Sequence, residues 1–148
     1  MKSLSEQLKE ILKDETLETR KKIEEVADQS SEYGLKLIKK RSPRDRNRKS
    51  NRTGKKRYAS GWRDKKEYIG GFIMKHTLHN VNEPTLTHLL ENGHVVKNQF
   101  GTYDRARAIP HIERTEKDTA DYFEQNVIRK LEKWQKIQWK YLKILNLR

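Results

Sequence analysis

Apolar residues recur along the first forty positions in steps of three and four. Leu4, Leu8, Ile11 and Leu12 are followed by Ile23, Val26 and Ala27, with Thr16 and Thr19 in the intervening turns, and then by Tyr33, Leu37 and Ile38. This spacing puts the apolar side chains on one stripe and predicts an amphipathic helix over residues 4–41. Ser3 or Ser5 can cap it, and Glu6 stands at capping-box distance from Ser3. Pro43 drives Ser42 out of helical geometry, so the helix should end near Lys40 or Arg41. Gly34 is expected to mark a break. At about 1.5 Å per residue the stretch reaches roughly 50 Å, so part of it should face solvent or another subunit.

Residues 42–57 carry almost no apolar side chain and read as a loop. Tyr58, Trp62, Tyr68-Ile69 and Phe72-Ile73-Met74, with Gly70-Gly71 between them, predict two or three strands, one running from Phe72 to about Asn80. Asn82-Glu83-Pro84 forms a turn that opens a short helix at Thr85. Residues 95–110 read as a strand or ordered loop. From Ile112, the positions Thr119, Tyr122, Phe123, Val127, Leu131, Trp134, Ile137, Tyr141, Leu142 and Leu145 fall at helical spacing. The expected fold is α+β: two long amphipathic helices, N- and C-terminal, packed on a small antiparallel sheet with an inserted short helix. It is read as one domain over 1–148, with helix 4–41, basic loop 42–57, sheet 58–110 containing short helix 85–92, and helix 112–147.

The stretch THLLENGH (87–94) sets two histidines around a Leu-Leu pair. On a short helix Leu86, Leu89 and Leu90 share a face, and Asn92-Gly93 forms a C-cap with a left-handed glycine. His88 and His94 are six positions apart, a net rotation of about 240°, so they cannot face one ion together. A structural role is expected, with no metal. His76, His79 and His111 could join them only through the fold.

Only 32% of the 148 residues are hydrophobic and 37% are charged, so a single small core is expected. The absence of cysteine removes disulfides, thiol catalysis and cysteine zinc sites. No long apolar run and an N-terminus with acids throughout argue against a membrane span or a signal peptide. The net charge of +13 is localised. Residues 39–57, KKRSPRDRNRKSNRTGKKR, hold eleven Lys or Arg against one acid, Asp45, whereas residues 1–38 hold seven against nine. No GxSxG, P-loop or GxGxxG motif occurs, and no paired carboxylates stand in an apolar setting, so neither an enzyme nor a cofactor is expected.

The order RSPR, RTGKKRYASGW, LTHLLENGH, AIPHIERTEKD resembles a family of small tailed-phage tail-component proteins related to the lambda Z-type tail completion protein. It spans roughly residues 35–120. The matching positions are Ser42-Pro43, Thr53-Gly54, Tyr58, Gly61-Trp62, Leu86 to His94 (with Leu89, Leu90, Glu91, Gly93) and Pro110-His111-Ile112. The resemblance implies a non-enzymatic virion part, made in the host cytoplasm. It would complete the tail or join head to tail in the neck, as a homo-oligomeric ring around the DNA channel. Its partners would be the tail terminator, tail tube or head-connector proteins and the passing genomic DNA. The departure is RDRNRKSNR between Pro43 and Thr53, longer and more basic than the family's link.

A ring that lets any sequence slide through needs cations without base-reading side chains. Arg44, Arg46, Arg48, Lys49, Arg52, Lys55, Lys56 and Arg57 supply that mixture and are expected to face DNA. An acidic neighbouring subunit, or an idle solvated run, is the alternative. Tyr58 and Trp62 are expected to pack the sheet on the helices rather than stack a base. In the C-terminal helix Trp134, Trp139, Leu142 and Leu147 exceed a single stripe and suggest a subunit contact, unless the N-terminal helix buries them. The alternative functions are a stand-alone nucleic-acid-binding protein and, more remotely, a metal nuclease using His88, His94 and His111.

Overall fold

The computed structural model describes residues 4–44, 57–71, 73–97, 99–101 and 103–145. Its elements are α1 (Leu4–Arg41), a 3₁₀ turn (Tyr58–Gly61), β1 (Trp62–Ile69), β2 (Ile73–Asn80), α2 (Leu86–Asn92), β3 (His94–Lys97), β4 (Tyr103–Ala106) and α3 (Ile112–Leu145). The fold is α+β as the periodicities predict, with long terminal helices flanking small antiparallel sheet. That sheet consists of two separate two-stranded ribbons, β1-β2 and β3-β4. By its contacts the chain divides into two compact units, residues 1–29 with 121–148, and residues 30–120, each drawing on both long helices.

In the 30–120 unit, β1 and β2 pair from Trp62↔Asn80 to Ile69↔Ile73. Gly70 and Gly71 turn the chain at φ of 60° and 75°, values glycine reaches without steric cost. The ribbon's root is buried at Trp62 and Asn80, and its far end is open, with Tyr68, Ile69 and Ile73 exposed. The core is the buried cluster Ile38, Tyr58 and Trp62, with Leu35, Leu78, Leu86, Leu90 and Ile112 packed on it. It draws one or two residues from each neighbouring element, as a small core must.

Two expectations need correction. Gly34 does not break α1, which runs unbroken through it. A Cβ at Gly34 would stand 2.7 Å from Thr119 Oγ1 and 3.2 Å from Leu78 Cδ1, so the glycine lets α1 approach α3 and β2 closely. Gly93 does take a positive φ of 72°, but its ψ of 168° is extended rather than left-handed helical. The chain therefore leaves α2 directly into β3, and a Cβ there would lie 2.5 Å from the Ala106 carbonyl oxygen. The segment 95–110 is a hairpin followed by an extended stretch, tied to the end of α2 where Ile109 N–H donates to Leu90 C=O at 2.7 Å. The caps at Ser3 and Ser5 and the Phe72 position lie outside the described residues or side chains.

The other unit is an antiparallel helix pair. Lys130 of α3 bonds Glu25 of α1, and Lys22 Nζ stands 4.9 Å from the Trp134 ring centroid. Charge segregation favours this pairing: residues 4–29 hold five basic against eight acidic side chains, and residues 125–145 hold six against one. No helix among the described residues is long and apolar enough to cross a membrane.

Candidate functional site

Five of the residues singled out by their short motifs, Ser42, Tyr58, Trp62, Glu91 and His111, meet in one place, a buried polar brace inside the 30–120 unit. Ser42 closes α1. Its N–H and its hydroxyl both donate to the Ile38 carbonyl, at 2.9 and 2.6 Å. The same hydroxyl oxygen accepts the Trp62 indole N–H at 2.7 Å. Trp62 is 3% exposed, and this bond satisfies the one polar atom its burial would otherwise strand. Tyr58, Trp62 and His111 stand edge to face, with ring centroids 5.7 to 6.4 Å apart.

His111, 1% exposed, is the centre of the brace. Its Nδ1 lies 2.7 Å from the Ile109 carbonyl and 3.0 Å from Glu91 Oε2, both acceptors, which places a proton on Nδ1. In the neutral ring Nε2 then accepts the Tyr58 hydroxyl proton across 2.9 Å. Burial, aided by the nearby Glu91 charge, pushes the Tyr58 phenol up to about 12, so it stays protonated and has a proton to give to that nitrogen.

Glu91 reaches from α2 to the start of α3. Its Oε2 accepts the backbone N–H groups of His111 (2.8 Å) and Ile112 (2.9 Å), and Oε1 accepts that of Glu113 (3.0 Å). These are N–H groups that a helix start leaves without intrahelical partners, and a carboxylate also suits the positive end of the helix dipole. Burial alone would raise the Glu91 carboxyl. The three backbone donors, with the His111 ring, outweigh it and hold the group below the usual carboxylate range. Thr115 and Arg41 extend the brace: Thr115 Oγ1 donates to the His111 carbonyl at 2.6 Å, and Arg41 bonds Asp118 at 2.5 Å.

On the other side Asn80, 3% exposed, donates from Nδ2 to the Tyr58 carbonyl at 2.8 Å. Its Oδ1 accepts the N–H groups of Asn82 and Glu83, each at 3.0 Å. Gly61 fits beneath it only because it lacks a side chain, since a Cβ would come within 2.4 Å of Asn80 Oδ1. Ser42 stands out in the sequence only as a motif position, without its role, and the contribution of Asn80 is marked by no more than its place at the end of a periodic segment.

The Tyr-His-Glu chain resembles a catalytic relay in composition only. Tyr58 is 7% exposed, its proton is tightly held, and both ring nitrogens of His111 are engaged, so the arrangement ties the 3₁₀ turn, α2 and the start of α3 together. Among the other matching positions, Leu89 and Leu90 are half-buried, Pro110 is exposed and His94 opens β3. His88 is exposed, and His76 Nδ1 bonds Asp64 Oδ2 at 2.7 Å. The described residues contain no group of three or more His, Asp or Glu placed to hold a metal.

Of the basic loop, Arg44 and Arg57 are exposed. Arg46, Arg48, Lys49, Arg52, Lys55 and Lys56, with Thr53 and Gly54, lie outside the described residues. Trp134 is half-buried on the helix pair, while Leu147 and the side chains of Trp139 and Leu142 lie outside what is described. No family model, curated protein or solved structure matches the chain.

Proposed function

We propose that the chain is a structural virion protein of a tailed bacteriophage that completes the tail or joins it to the head, assembling as a ring around the DNA channel. The observation that carries this reading is how the motif residues are used. Ser42, Tyr58, Trp62, Glu91 and His111 bear the resemblance to tail-completion proteins, and all are spent on one internal brace rather than on an open reactive site. The stretch bearing the resemblance, roughly 35–120, also coincides with the compact unit 30–120. A mechanical part needs such a rigid body, with its variable chemistry confined to a loop. Deleting the gene from the phage genome and imaging the particles tests this: filled heads beside unattached tails are expected, and intact joined virions would remove the reading.

In the ring the basic loop faces the genome, where cations without aromatic interleaving hold phosphates of any sequence. Replacing Arg44, Arg46, Arg48 and Arg52 together by serine is expected to weaken duplex binding. It should also flatten the plot of log affinity against log salt by about 0.9 for each phosphate that the variant no longer neutralises. An unchanged slope excludes the loop from the DNA path. The net charge of +10 in residues 39–57 also favours a second reading, a stand-alone nucleic-acid-binding protein, in which the purified monomer binds DNA and forms no ring.

A further inference from the structure

Where side chains of the helix-pair unit are described, at 14, 16–29 and 121–137, the packing is thin: only Val26, 1% exposed, is fully buried there, while Leu17, Ile128 and Ile137 are 46 to 50% exposed. Two helices alone cannot enclose a core, so a pair of this kind leaves an apolar seam for a further element. The seam here is a groove of about 390 Å³, floored by Val26, Trp134 and Ile137 and rimmed by Lys22, Arg129, Lys130 and Lys133. Among the described residues no carboxylate lines it. Glu18 and Glu25 lie outside the lining and engage Lys22 and Lys130, but Arg129 and Lys133 have no ion pair or hydrogen bond among the described residues. Both are exposed, one turn apart on α3.

We propose that this groove docks an acidic amphipathic helix of a partner protein. The partner's apolar stripe would seat on Val26, Trp134 and Ile137, and its carboxylates would meet Arg129 and Lys133. Two features select that occupant. The lining segment 126–137 extends roughly 18 Å, about three helical turns, which suits the spaced anchors of a helix laid in a groove. Among the described residues the unpaired rim charge is positive, so it favours an acidic partner and repels a basic one. A DNA backbone would use the cations but leave the apolar floor unfilled. The proposal requires only this helix pair and stands apart from the virion reading.

The test uses the full chain and a fluorescein-labelled 18-residue peptide with leucines at helical spacing and glutamates elsewhere, followed by anisotropy. Binding on the order of micromolar is expected. Reversing Arg129→Glu with Lys133→Glu should weaken it by about tenfold or more. Because both side chains are exposed, the variant's circular dichroism should match the parent's. No binding overturns the proposal, as does equal binding by the charge-reversed chain or equal binding of a peptide with lysine in place of glutamate. Loss of self-association, or of duplex DNA binding, by the same reversal without any effect on the peptide would assign the groove to a second copy or to nucleic acid instead.

Discussion

Trp62→Ala is expected to lower the unfolding free energy by about 3–5 kcal/mol, the range for removing a buried aromatic ring. At the usual scaling for a chain of this size the melting temperature falls by roughly 10 °C. The size of the effect comes from what the ring does at once. It fills the core between α1, the 3₁₀ turn and α2, stands edge-on to Tyr58 and His111, and gives its N–H to Ser42 Oγ. Trp62→Phe keeps much of the packing and leaves Ser42 bonded to Ile38, so it should cost less than half as much. Equilibrium urea unfolding of the two variants separates packing from the hydrogen bond. A loss under about 1 kcal/mol for the alanine variant would show that the cluster does not organise this core.

Glu91→Gln is the second large effect. The change removes a charged acceptor from three backbone donors and from the His111 ring, and should cost about 2–3 kcal/mol at neutral pH. The loss should depend on pH in a defined direction. Glu91 has its folded-state pKa held below the ordinary value, so the unfolded chain binds more protons as pH falls through the carboxylate range. The stability it contributes is fully present above that range and disappears as pH falls through the depressed folded value. The difference between parent and variant should therefore be constant from about pH 6 to 8 and shrink steadily toward pH 3. A difference that is flat throughout would mean that the charge on Glu91 is not what holds the start of α3.

The helices were legible because their periods are long and their ends carry steric marks. Pro43 stops α1 within two residues of Arg41, and α2 lies within one residue of the range predicted around Leu86, Leu89 and Leu90. The β1-β2 hairpin was legible from its aromatic and β-branched content around Gly70-Gly71. The β3-β4 hairpin was not. Its strands have four residues each, and Val95 and Val96 are exposed at 62% and 43%, so no alternation between a buried and an open face marks the sequence. Gly34 departs from its local pattern for a related reason. A glycine inside a helical pattern looks like a break until the side chains that crowd it, Thr119 and Leu78, are known.

The brace was half legible. Tyr58, Trp62, Glu91 and His111 stood out as motif residues, and Tyr58 and Trp62 were expected to pack. Nothing in the spacing predicted that Glu91 caps a helix starting some twenty residues further on, or that Ser42 receives the Trp62 indole. By itself the sequence determined the order and type of the long elements, the turn glycines and the segregation of charge into residues 39–57. Those properties follow from local sterics and from one-dimensional patterns of polarity. Only the tertiary structure decided which polar side chains would be buried together. A hydrogen bond between residues 20 to 53 positions apart depends on how whole elements pack, and no local period encodes that.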